Sequence, residues 1–281
     1  MKKSILPTAL IAFVLAVLTA CNNGSASPKT DSSAEQVDST EVPAELPQEV
    51  KELVEAVADS NPRKFASAVS YPLPRPYPLR NVEDSAEMVE YYPRMVDDSL
   101  RNIIVKSGKE KWSSNGWRGW TLHDGQYLWI DDKLYAVNYV SRAEQAQIDT
   151  LVNQEIGSLQ EGMRKGWRPV FCLYGTDSGM VFRVDCLSHP DKKMPYRLAV
   201  YNRGANLHGR PSMMMRGDME VEGTVGARTY KFVGRDGSRA YYIYDRSSDD
   251  EVQEIYIVTP QGDSIAHPVK DAYWRDFISG R

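Results

Sequence analysis

The sequence predicts an α+β fold in three successive parts: a helix-plus-curved-antiparallel-sheet segment, a linking helix, and an antiparallel β barrel or sandwich. Three observations predict it. Apolar residues recur at three- and four-residue spacing up to about residue 102, a capped helical stripe runs from 141 to 164, and about eight short β-type runs separated by turn residues fill the remainder. At 281 residues the chain is long enough for more than one core.

The first helix is read from Val50, Leu53, Val54 and Val57, and Asp59-Ser60-Asn61-Pro62 ends it and starts a short second one through Phe65, Ala68 and Val69. Residues 71–79 carry prolines at 72, 74, 76 and 78, which fits an extended polyproline-type connector; the alternative is a docking ligand for an aromatic groove. A third helix is expected over 85–102, with Met88, Tyr91, Tyr92, Met95 and Leu100 on one face and a kink or break at Pro93. Ile103 to Val105 are expected to begin the sheet. Asp124-Gly125 lies between two aromatic runs and suits a two-residue hairpin turn, which would set Trp120 opposite Trp129. Residues 134–140 supply another strand.

Ser141-Arg142-Ala143-Glu144 has the capping-box form, and the helix it starts has the stripe Ile148, Leu151, Val152, Ile156, Leu159 and Met163. Gly157 and Gly162 weaken it. Strands follow at 170–174, 180–187, 196–202, 213–220, 228–232, 240–244, 254–258 and 264–268. The expected division is a leader at 1–20, a tether at 21–47, the helix-and-sheet part at 48–141, the linking helix at 142–165 and the β part at 166–281.

The leader begins with Met1-Lys2-Lys3, continues with an apolar run over 5–18 that is too short for a membrane span, and closes on Leu18-Thr19-Ala20-Cys21. This start resembles bacterial lipoproteins processed by signal peptidase II. The resemblance implies cleavage before Cys21, acylation of Cys21 and a membrane partner held through lipid, and Asn22 in place of aspartate implies the outer membrane. Residues 22–48 are rich in Ser, Asp, Glu, Pro and Ala and lack aromatics, so they read as a solvated tether with a span of roughly 30 Å. Loss of Lys2 and Lys3 leaves 32 of the 34 basic residues against 38 acidic ones, about −6. That balance, with no basic patch interleaved with aromatics, argues against nucleic acid as a partner.

The helix, the Asn61-Pro62 start, the Phe65-Ala66-Ser67-Ala68-Val69-Ser70-Tyr71-Pro72 segment, the aromatic helix and the Trp117-Arg118-Gly119-Trp120 hairpin together resemble the nuclear transport factor two-like superfamily over residues 47–141. The resemblance implies a cone-shaped α+β domain. Its members include enzymes, binding modules and partner-docking domains, and the Asp or His that catalytic members place inside the cone map onto no position here. The later half is similar to the C-terminal region of a lipoprotein family through Tyr196-Arg197-Leu198-Ala199, residues 218–223 and residues 226–232, and that similarity names no activity.

Tyr91, Tyr92, Trp112, Trp117, Trp120, Tyr127 and Trp129, with Arg118 as a polar neighbour, are the candidate ligand-binding residues, because tryptophan and tyrosine surfaces suit sugars, small apolar ligands and partner proteins. The other reading makes them core. Cys172 and Cys186 flank residues 177–180, so a three-residue loop would set them opposite each other for a disulfide; in another register they are free thiols. His123, His189, His208 and His267 show no metal-ligand spacing, and Met213, Met214, Met215 and Met219 read as a half-buried strand rather than copper ligands. Asp236-Gly237 and Asp249-Asp250-Glu251 read as turns, with calcium as the alternative. No metal or cofactor is expected. The function these residues favour is a non-catalytic binding or scaffolding module of the cell envelope. The alternative is a hydrolase or isomerase using Asp97, Asp98 and His123.

Overall fold

The computed structural model describes residues 45–188, 194–222, 227–234, 240–245, 253–258 and 261–278. The expectations for the leader, Cys21, the tether up to residue 44, His189, Asp236-Gly237 and residues 249–251 lie outside them. The described residues all belong to one compact unit. Among the described residues no helix is long and apolar enough to cross a membrane.

Helix α1 (Gln48–Ala58) buries Val50, Leu53, Ala56 and Val57, the face its spacing predicts. Asn61 caps α2 (Pro62–Ser67) by accepting the Lys64 amide at 3.0 Å, and Pro62 occupies the first turn, where its missing N–H costs nothing. The expected helix over 85–102 is two helices, α3 (Ser85–Met95) and α4 (Asp98–Lys106). Pro93 lies inside α3, and the break comes after it, where the Asp97 carboxylate accepts the Leu100 amide at 2.9 Å and so starts a new helix. Ile103 to Val105 therefore belong to α4, with Ile104 in the core, and not to the sheet.

Strands β1 (Trp112–Ser114), β2 (Trp120–Leu122), β3 (Leu128–Ile130) and β4 (Leu134–Val137) form an antiparallel meander in sequence order. The turn joining β2 to β3 takes up residues 123–127. His123, Asp124 and Gly125 all have positive φ, at 51°, 52° and 80°, so the chain makes a wider loop than a two-residue turn. Trp120 consequently faces Ile130, and Trp129 faces Thr121. Gly119, with φ 78°, lets β2 start against β3, since a Cβ there would come within 2.1 Å of the Ile130 carbonyl oxygen. Helices α1 to α4 and the meander share one apolar core running from Val50 to Val137.

The capping box at Ser141 and Glu144 is present in full and starts α5 (Arg142–Ser158). Gly157 is accommodated, and the helix stops at Ser158 instead of continuing to 164. Its buried face is Glu144, Ile148, Val152 and Glu155. The expected stripe identified the apolar members but not the two glutamates.

The β part closes into an eight-stranded antiparallel barrel: β5 (Trp167–Gly175), β6 (Val181–Leu187), β7 (Tyr196–Tyr201), β8 (Met213–Glu222), β9 (Ala227–Val233), β10 (Ala240–Asp245), β11 (Gln253–Val258) and β12 (Ser264–Ala272). Two of the long strands, β8 and β12, are staggered between their neighbours, as closure requires. The first part of β12 pairs with β11 and its end, from Val269, pairs with β5; β8 likewise passes from β7 to β9. Gly217 allows that passage, because a Cβ there would lie 2.1 Å from the Lys231 carbonyl oxygen. Inward residues of every strand, among them Phe182, Leu198, Met215, Phe232, Ile255 and Val269, fill the barrel. The methionines divide by alternation: Met215 is buried and Met214 exposed. A short helix that the sequence reading did not anticipate, α6 (Trp274–Ile278), follows β12 and buries Trp274.

The expected disulfide is absent. The β5–β6 hairpin pairs Tyr174 with Val181, which already sets Cys172 opposite Arg183; the bulge between Pro169 and Phe171 lies farther from the turn and moves Cys186 by one residue, opposite Arg168, and both thiols are free.

Candidate functional site

The candidate aromatic residues divide between the core of the helix-and-sheet layer and the surface. Tyr92 and Trp112 are buried in the core of the helix-and-sheet layer, and Tyr91, Trp120 and Tyr127 pack partly against it. Trp129 lies across Gly125 and donates its Nε1–H to the Gly125 carbonyl at 3.2 Å. The exception is Trp117, 81% exposed, with the Arg118 guanidinium 5.0 Å from its ring centre.

The residues of the enzymatic alternative do not converge either. Asp97 caps α4 and accepts the Tyr139 hydroxyl at 2.9 Å on both oxygens. Burial raises its pKa, but these hydrogen bonds to the ionised form prevail and hold it below the usual carboxylate value. Asp98 is exposed in the first turn of α4. His123 stands near the other end of the same helix, its Nε2 3.4 Å from the Ser107 hydroxyl and its ring edge-on to Tyr127. A helix of nine residues separates it from Asp97 by about 13 Å along the axis.

Two buried ion networks, both centred on α5, are the strongest polar features. In the first, Glu144 Oε1 accepts Arg75 Nε at 2.9 Å and the Tyr91 hydroxyl at 2.7 Å, while Oε2 accepts Arg75 Nη2 at 2.8 Å and the Ser141 amide at 3.0 Å. Arg75 spends its remaining donors on the carbonyls of Val137 and Tyr139. Both side chains are fully buried. The proline connector, α3, the end of β4 and α5 thus meet at one carboxylate.

In the second, Glu155 accepts the Tyr77 hydroxyl and Arg183 Nη1, each at 3.0 Å. Arg183 Nε reaches Asp185 at 2.8 Å, and Asp185 accepts Arg197 Nη2 at 2.6 Å. Arg183 and Asp185 alternate with Phe182 and Val184 on β6, so they point out of the barrel wall toward α5 and α6. Among the described residues Arg183 Nη2 has no hydrogen-bond partner; its guanidinium lies 4.8 Å from the Trp274 ring centre. Burial raises the pKa of Glu155, with Arg183 and Tyr77 opposing it, and burial pushes both cysteine thiols up, away from the reactive thiolate.

Sequence reasoning missed this network. Two signals could have found it: Glu144 and Glu155 stand eleven residues, three turns, apart on one face of α5, and Arg183 and Asp185 interrupt an otherwise apolar strand two residues apart.

A groove of about 320 Å³ opens where residue 80 meets β5, β12 and α6, lined by Tyr174, Tyr273 and Phe277 with Arg80, Lys270 and Asp276 among its charged residues. Much of its aromatic surface is engaged already. Arg80, paired with Asp276, and Arg275 both lie over Tyr273, Tyr77 stacks with the same ring, and Phe277 stacks with Tyr174. Among the described residues no group of three or more His, Cys, Asp or Glu could hold a metal ion. Compared with known protein families, curated proteins and solved structures, the chain matches none.

Proposed function

We propose that the chain is a lipoprotein anchored through Cys21 to the outer membrane, and that it acts at the cell envelope as a non-catalytic binding or scaffolding module with a cone-shaped domain and a barrel domain joined by α5. One observation carries the non-catalytic part. The buried carboxylates among the described residues, Glu144, Glu155 and Asp185, are each engaged by arginines of the same fold, and the apolar side chains of α1–α4 and the meander gather in one buried cluster. A general acid or base needs a carboxylate or imidazole facing a cavity that a substrate can enter. Here buried charge is spent on architecture. The Cys21 reading is supported by the leader sequence alone.

The test is complementation of a strain lacking the chain. Asp97→Asn, Asp98→Asn and His123→Ala are expected to restore the wild-type phenotype, whereas Cys21→Ala, verified by loss of fatty-acid labelling, is expected not to. Failure of a stably folded Asp98→Asn or His123→Ala protein would favour the hydrolase or isomerase.

A further inference from the structure

From the geometry of the β1–β2 turn we infer that Trp117 and Arg118 form a lipid-contacting tip that enters the headgroup layer of the membrane to which the chain is tethered. Trp117 is the one aromatic among the large exposed apolar side chains of the described residues, and its exposure of 81% has no packing role. The backbone beneath it is held firmly. Asn115 N–H donates to the Gly119 carbonyl at 2.8 Å, Gly119 N–H to the Gly116 carbonyl at 3.1 Å, and the Tyr135 hydroxyl to the Arg118 carbonyl at 3.1 Å. Presenting a tryptophan on a fixed turn loses little conformational freedom when it inserts.

The occupant follows from the chemistry of the tip and from where the chain is anchored. An indole with a guanidinium over its ring combines an apolar body with charge that stays at the water boundary, the pairing suited to the level of lipid headgroups. The register places the turn over 131–133 at the same end of the meander as residues 115–119. Arg118 and Lys133 there are balanced by Asp131 and Asp132, so the contact is suited to a zwitterionic surface and is not electrostatic. This inference rests on the lipid-anchor reading: from Cys21 to the first described residue is a span of 24 residues, which keeps the fold at high effective concentration near the bilayer, where one inserted side chain suffices.

The experiment reconstitutes the acylated chain in phosphatidylcholine vesicles that carry a nitroxide lipid labelled near the headgroup. Comparison with Trp117→Ala isolates the emission of Trp117. That emission is expected to be blue-shifted and largely quenched, and to remain so in high salt, while Trp117→Ala keeps the wild-type melting curve and loses the quenched component. An acylated Cys21 with Trp117 unquenched overturns the tip and leaves the anchor standing. An unmodified Cys21 by mass spectrometry overturns both. Protection of an unquenched Trp117 by isolated envelope glycan or by an envelope protein also overturns it, in favour of that partner.

Discussion

Arg75 sits in a proline-rich connector, yet its guanidinium reaches Glu144 and two carbonyls at the seam between β4 and α5. Arg75→Met leaves a fully buried carboxylate without a cation, which costs about 3–5 kcal/mol, to be read as a lower urea midpoint. Arg183→Met leaves Glu155 and Asp185 with Arg197 as the cation nearest to Asp185, and its cost should be similar at pH 7. The pH dependence has a definite sign. Because burial raises the folded-state pKa of Glu155 above its unfolded value of about 4.5, its contribution is fully present below that value and is lost as pH rises through the folded pKa. Removing Arg183 takes away an opposing influence and enlarges this effect, so Arg183→Met should recover stability as pH falls from 7 toward 5. Asp97 works the other way: its folded pKa is lowered, its contribution is present above about 3.8 and is lost as pH falls through the folded value, and Asp97→Asn should flatten the acid limb of the stability profile. Urea titrations across pH 3 to 7 check both.

The elements depend on caps more than on propensity. Ser141 accepts the Glu144 amide at 3.0 Å and donates to the Arg94 carbonyl at 2.6 Å, so Ser141→Ala should cost about 1–2 kcal/mol, measured by thermal unfolding. The capping box, the buried apolar face of α1 and the eight β-runs of the barrel were legible in the sequence, because each is a local pattern with one dominant period. The division at Asp97 was not. Capping there competes with a helical pattern that runs straight through, and only the structure shows Tyr139 supporting the carboxylate. The β2–β3 loop was misread for a related reason: Asp124-Gly125 fits a tight turn, but His123 also takes positive φ. The Cys172–Cys186 pairing failed because the hairpin turns earlier than the midpoint between the two cysteines, so that Tyr174 meets Val181 and Cys172 meets Arg183. In each case the local geometry of a cap or a turn decided what periodicity left open.

At the scale of the whole molecule, the sequence left a barrel and a sandwich both open for the β-strands, since closure depends on β12 reaching back to β5 across almost a hundred residues. The role of α5 was hidden for the same reason. Its two glutamates look like solvent-facing residues until their arginine partners, 69 and 28 residues away, are brought to them. Through these clasps α5 joins the helix-and-sheet layer to the barrel wall, so the two are expected to open as one cooperative unit. Native-state hydrogen exchange tests it most directly, by comparing amides of β2–β4 with amides of β6 and β7 in low denaturant. Both sets are expected to converge on one opening free energy and one denaturant slope. A meander that opens well below the barrel in the wild-type chain would contradict it.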